Sequence, residues 1–250
     1  MPTSSDNPDG SRPERQPHAA LDRGTRIPKA RKIINLLGAG RFASARSLLE
    51  IGCGAGVITS ILAQEGGPGL DVHAVDVVDA RVEQEGYAFR QVDGTTLPYA
   101  DGQFDIVISN HVIEHVGDAA DQRHHLLEIR RVLADGGVAY LAVPNRWRLV
   151  EPHFHLPLLS WLPHPFCDRY VRLAGRGDHY DCNPPSHAQA LALFAAARFR
   201  VQDATVHAIR ETLAIESGPA AARAFDRWVP AALPRLLMPL MPTYVFLLSK

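Results

Sequence analysis

Residues 48–56 read Leu-Leu-Glu-Ile-Gly-Cys-Gly-Ala-Gly. Glycines directly behind an apolar run let the chain turn sharply and let a ligand lie against bare backbone. A helix starting there would also turn its unpaired N–H groups toward that ligand. Other polar residues fall at spacings that suit the same ligand. Asp76 closes a second apolar run, where a carboxylate can accept hydrogen bonds from both hydroxyls of a ribose. Asp93-Gly94 closes a third run, and Asp93 can accept from the exocyclic amine of adenine. Ser109-Asn110 closes a fourth. Four run ends thus offer polar groups or bare backbone in one crevice, and a nucleoside-bearing ligand suits them.

A second group of residues could act on protons. His111-Val-Ile-Glu114-His115 places three polar side chains on one face if the segment is helical. Taken alone it is the H-x-x-E-H pattern of a group of zinc peptidases. The glycine loop beside it argues for another use, since an imidazole titrating near neutrality suits a general base. Further on, Glu151-Pro-His153-Phe-His155 adds two histidines facing whatever lies above the sheet. His164, His179 and Cys182 follow, but residues 145–185 contain no C-x-x-C or H-x₃-H spacing, so no metal ligand set is assigned there.

Elements that would position these groups alternate along the chain. Lys29–Phe42 has helical spacing. Strands are expected at Ser47–Gly52, Leu70–Asp76, Ala88–Val92, Phe104–Ser109, Val138–Val143, Phe199–Ala208 and Tyr244–Ser249. Between them lie helices at Gly56–Gln64, around Asp79–Glu85, from Asp118 to about Leu133, and at Ser186–Ala197. That alternation predicts an α/β fold: a Rossmann-like seven-stranded, mostly parallel sheet with helices on both faces. Residues 145–185 interrupt the rhythm with His, Pro, Arg and aromatic residues. A connection that long suggests a lid or substrate-binding insertion.

The 250 residues carry a net charge of -1 and are 46% hydrophobic. They bound one ordinary domain, with no global field drawing nucleic acid or an anionic membrane. Cys53, Cys167 and Cys182 are too few for a disulfide framework, which fits a cytoplasmic protein. No apolar run reaches the ~18 residues of a membrane span. Residues 1–27, rich in Pro, Ser, Asp and Arg, read as a disordered tail before a domain at 28–250. Leucines interleaved with prolines at 156–162 and 229–240 fit a greasy acceptor channel, a weak membrane-surface contact, or helices packed on each other.

Taken together, Glu50-Ile-Gly-Cys-Gly-Ala-Gly56, Asp76, Asp93-Gly94 with Leu97-Pro98, and Phe104 to His115 resemble the class I S-adenosylmethionine-dependent methyltransferases, in particular the branch called methyltransferase type 11. Glu128 to Leu133 with Asp135-Gly-Gly137 fits the same pattern, as does a last strand that such proteins add antiparallel to the sheet. The resemblance implies S-adenosyl-L-methionine as cofactor and a small-molecule or lipid-like acceptor, methylated at oxygen or nitrogen. It implies that Gly52, Cys53, Gly54 and Gly56 line the methionine portion and that Glu50 holds its amino group. Asp76 would take the ribose, Val77 would flank the adenine, Asp93 and Gly94 would meet the adenine edge, and Asn110 would lie at the active-site floor. His111, His115, His153 and His155 are the candidate catalytic residues. Some quinone-biosynthesis O-methyltransferases hold magnesium with an acid followed by Glu-His. Here Glu114 and His115 match but His111 replaces the acid, a poor ligand for so hard a cation. A nicotinamide cofactor would want a third glycine where Val57 stands. Two other readings are a non-catalytic S-adenosylmethionine-binding protein and a metal-dependent hydrolase built on His111, Glu114 and His115.

Overall fold

The computed structural model describes residues 23–230 and 232–250. Strands β1 (Ser47–Ile51), β2 (Asp71–Asp76), β3 (Ala88–Gln91), β4 (Phe104–Asn110), β5 (Leu133–Pro144), β6 (Arg200–Asp203) and β7 (Thr243–Ser249) form one 7-stranded sheet. Its order is β3-β2-β1-β4-β5-β7-β6. β7 runs antiparallel to both neighbours, and the remaining pairs are parallel. Order reverses beside β1, so β1 and β4 diverge into opposite halves and open a crevice at their carboxyl ends.

The helices are α1 (Arg23–Leu37), α2 (Ala39–Ser44), α3 (Val57–Glu65), α4 (Ala119–Val132), α5 (His164–Leu173), α6 (His187–Ala196), α7 (Thr205–Ser217), α8 (Pro219–Trp228) and α9 (Ala232–Leu236). β1 shows why both faces of the sheet are covered. Leu48 joins the core under α1, α3 and α7, while Leu49 and Ile51 join the core under α4 and α6. Asp118 caps α4 by accepting from the N–H groups of Ala120 and Asp121, at 2.7 and 3.1 Å.

Several elements differ from the sequence reading. The first helix starts at Arg23 and breaks at Gly38, whose φ of 90° leaves the helical region. Residues 23–27, assigned to the tail, are therefore helical, and Arg23 pairs with Glu83 at 2.8 Å. The rest of the tail, 1–22, lies outside the described residues. No helix forms at 79–85, because the N–H groups of Val82 and Glu83 are spent on the carbonyl of Ala55. β6 stops at Asp203, whose side chain accepts from Thr205 N at 2.9 Å and starts α7 where strand was expected. β5 begins at Leu133, directly behind α4, with a shift in its register against β4.

The segment 145–185 contains α5 and a 3-10 turn at Leu159–Trp161, and it has its own small core of Phe154, Leu156, Leu159, Cys167, Val171, Tyr180 and Cys182. Two devices tie it to the turn after β4 and to α4. Asn183 N donates to the Glu114 carbonyl at 2.7 Å, and the buried Gln122 amide of α4 donates to Ile113 O and Asn183 O at 3.2 and 2.8 Å. Trp228, Leu236 and Leu240 are exposed. Among the described residues no helix is long and apolar enough to cross a membrane.

Candidate cofactor site and acceptor wall

The carboxyl ends of β1, β2 and β4 open into a cavity of about 710 Å³. Its floor is the loop after β1. Gly52 and Gly54 have φ of 73° and 52°, the left-handed region that favours glycine. A Cβ on Gly52 would also run into Val112. Gly54 N donates to Asp76 Oδ2 at 2.8 Å, and Val77 N donates to Asp76 Oδ1 at 2.7 Å. The acid closing β2 thereby braces the loop while lining the cavity.

Glu50 lies under the loop, 2% exposed. It accepts from the Thr59 hydroxyl of α3. Burial pushes its carboxyl up to about 7, against the pull of the Thr59 hydrogen bond and the Arg26 charge. A carboxyl poised this way at a cavity wall is matched to a ligand cation. Cys53 is buried beside it, with its thiol pushed up by desolvation.

Of the residues expected at the cofactor, Glu50, Gly52, Cys53, Gly54, Asp76, Val77, Gly94 and Asn110 line the cavity. Gly56 and Asp93 do not. Gly56, with φ 76°, is fixed by packing, since a Cβ there would overlap Glu83 O and Tyr87 Oη. Asp93 is exposed, and the wall at that point is Gly94, Thr95 and Leu97.

Of the four histidines, His111, His115 and His153 line the cavity. His155 is exposed, with φ 55°, and is not part of the lining. The 111–115 segment is not one helical face: His111 has φ 59°, and only Ile113–His115 make a 3-10 turn. That geometry places Glu114, fully buried, under both imidazoles, 3.4 Å from His111 Nδ1 and 3.9 Å from His115 Nε2. Burial alone would raise the Glu114 carboxyl, but the His111 contact and the two imidazole charges outweigh it and hold it low. Glu151 is likewise buried, and it fixes His153 through Oε1 to Nδ1 at 2.8 Å while Oε2 accepts from His153 N and Phe154 N.

Cations not foreseen from the sequence line the same cavity. Arg26, Lys29 and Lys32 stand one helical turn apart along α1, and Arg148 of the insertion lines the same cavity. Burial lowers the Lys29 ammonium first, and the charges of Arg26 and Lys32 lower it further. The i, i+3, i+6 spacing was the available signal, hidden by starting the helix at Lys29.

Known proteins resemble this chain in part of its sequence and in its fold. Residues 49–141 match a family model described as a methyltransferase domain. A protein of Mycolicibacterium smegmatis named a probable S-adenosylmethionine-dependent methyltransferase is 33% identical over 105 residues, covering 41% of this chain and 40% of that one. A ubiquinone biosynthesis O-methyltransferase of Cereibacter sphaeroides is 32% identical over 105 residues, covering 40% of this chain and 41% of its own. The chain thus spans about 40% of the length of these curated relatives. Among solved structures, a SAM dependent methyltransferase from Aquifex aeolicus superimposes with a TM-score of 0.52 at 12% identity, over 92% of this chain and 97% of that one. The fold is that of the class I methyltransferases, and residues 49–141 are similar to a methyltransferase domain. S-adenosylmethionine is the cofactor named for the Mycolicibacterium smegmatis relative.

Proposed function

We propose that the protein transfers the methyl group of S-adenosylmethionine to a small-molecule acceptor at oxygen or nitrogen. The observation that carries this reading is the pairing of two carboxylates with one glycine loop. Glu50, which is buried, and Asp76 both line the cavity together with Gly52 to Gly54, and Asp76 accepts from Gly54 N. The cofactor has a cation for Glu50 and vicinal hydroxyls for Asp76, and a 710 Å³ cavity has room for it and an acceptor. Arg26, next to Glu50, suits the carboxylate of the methionine end. Val77, Val92 and Leu97 give the base an apolar wall.

S-adenosylmethionine supplies an activated methyl group on a sulfonium. What remains for the chain is to align the acceptor about 3 Å from that carbon, exclude water and accept a proton. His111 suits the last task. Glu114 beneath Nδ1 fixes the ring, which leaves Nε2 for the cavity. Relatives named as O-methyltransferases support oxygen as the acceptor atom. Residues 145–185 supply the wall opposite the glycine loop through Arg148, Pro152, His153 and Asp181. The cations along α1 and at Arg148 favour an acceptor that carries negative charge.

Calorimetry with S-adenosylhomocysteine tests the cofactor half: binding is expected, and its absence would sink the reading. Incubating the protein with methyl-labelled cofactor and a metabolite extract tests the other half. Labelled small molecules are expected; binding without transfer would leave a cofactor-binding protein instead.

A further inference from the structure

His115, His153 and Cys182 reach the same point from three segments: the turn after β4, the loop after β5 and the stretch before α6. Their donor atoms all lie within 4.8 Å of one another. Cys182 Sγ is 3.7 Å from His115 Nδ1 and 3.8 Å from His153 Nδ1. Two donors on one tetrahedral zinc, at Zn–N ~2.0–2.1 and Zn–S ~2.3 Å, stand about 3.6 Å apart. The separations already match an edge of that tetrahedron.

The surroundings point the same way. Glu114 is fully buried; its Oε1 lies 3.4 Å from His111 Nδ1 and 3.9 Å from His115 Nε2, and its Oε2 has no hydrogen-bond partner. His115 Nε2 is the nitrogen that would face away from an ion on Nδ1. A carboxylate there orients a ligating imidazole and balances the charge of a cation. Next to it, a cavity of about 10 Å³ is lined by Glu114, Glu151, His153, Tyr180 and Cys182. That is room for about one water-sized particle. The Tyr180 hydroxyl, also buried, has no partner.

We propose that His115, His153 and Cys182 bind one zinc ion at the wall of the cofactor cavity. Thiolate and imidazole donors suit zinc and disfavour magnesium or calcium. Cys182 gives up its thiol proton to solvent on binding. His153 Nδ1 turns from Glu151 to the ion, and Glu151 keeps the N–H groups of His153 and Phe154. Three protein donors leave a fourth position open, and His115 and His153 also line the large cavity, so that position faces an acceptor. Sequence spacing gave no sign of the set because its ligands lie 38 and 29 residues apart.

The test is metal analysis of full-length, tag-free protein grown with added zinc, and of protein reconstituted with cobalt. About one zinc per chain is expected, with a thiolate-to-cobalt charge-transfer band and intense tetrahedral d–d bands after exchange. Cys182→Ser and His153→Ala should each retain less than about a tenth of that metal, while His207→Gln retains it all. Circular dichroism establishes that the variants are folded. If Cys182→Ser does not fold, the wild-type cobalt spectrum decides. Substoichiometric metal after reconstitution, no thiolate band, or full metal in both folded variants would overturn the proposal. Metal content is read without any methyl transfer, so failure here leaves the homocysteine calorimetry untouched, and the reverse also holds.

Discussion

The backbone N–H of Gly54 donates to the carboxylate of Asp76 at 2.8 Å, joining the loop after β1 to the carboxyl end of β2. One side chain therefore sets the shape of the glycine loop and faces the cavity that the loop floors. Asp76→Ala removes this brace, the Val77 bond and the proposed ribose acceptors together. Charge-assisted bonds of this kind are worth roughly 1.5–3 kcal/mol each, so affinity for S-adenosylhomocysteine should fall by at least about tenfold. Asp76→Asn keeps one accepting oxygen and should fall between wild type and Ala. Calorimetry reads the series, and equal affinity across it would remove Asp76 from the site.

Gly56 should behave in the opposite way. It belongs to the same loop but packs on Glu83 and Tyr87 and does not line the cavity. Gly56→Ala forces a Cβ into both neighbours at a φ of 76°. Strain and overpacking should cost roughly 2–4 kcal/mol of stability. The folded fraction should still bind S-adenosylhomocysteine within about threefold of wild type. A stable variant that no longer binds would show that Gly56 touches the cofactor after all.

Much of the sheet was legible in the sequence because strands such as β1, β2 and β4 are short, mostly apolar runs that close on a glycine or a polar residue. The cofactor end was legible for the same reason, since Gly52, Asp76 and Asn110 stand at those closures. What was missed depends on tertiary pairing. Residues 79–85 have helix-compatible residues, but Ala55 O takes their N–H groups. Asp203 could end a strand or start a helix, and only its bond to Thr205 N decides. Arg26 entered the site because α1 starts six residues before Lys29, a boundary that local apolar spacing does not mark. His153 and His155 were indistinguishable by spacing. Glu151 selects His153 by bonding it through both ring and backbone.

Glu50 gives a pH prediction with two signs. Its carboxyl holds a proton to about pH 7 in the folded chain, above the ordinary 4.5. Folding therefore takes up a proton between those values, and this contribution to stability is lost as pH rises through that window. Glu50→Gln removes the dependence and should raise stability at about pH 8 by roughly 1–3 kcal/mol. Binding of the cofactor's ammonium needs the carboxylate, so wild-type affinity should instead grow as pH rises through about 7. The variant should bind weakly at every pH. Denaturant unfolding and calorimetry between about pH 5.5 and 8 check both signs. A wild-type affinity that stays flat over that range would detach Glu50 from the ammonium.

The last prediction separates His111 from the other histidines. If Glu114 fixes the ring and His111 takes the acceptor proton, the two act as one device. His111→Gln should lower turnover by ~10²–10⁴-fold and leave S-adenosylhomocysteine affinity nearly unchanged. Glu114→Gln should lower turnover in the same direction, because the amide no longer attracts the imidazole proton at Nδ1. Groups that act as a unit are not additive, so the double variant should be no slower than His111→Gln alone. His155→Gln should turn over at the wild-type rate, since that side chain is exposed outside the cavity. The measurement is kcat for each variant with the acceptor that the labelled-cofactor screen supplies. Multiplied losses in the double variant would mean that Glu114 serves the fold or His115 and not the His111 ring. A His111→Gln enzyme at the wild-type rate would leave alignment beside the methyl carbon to carry the reaction without a base.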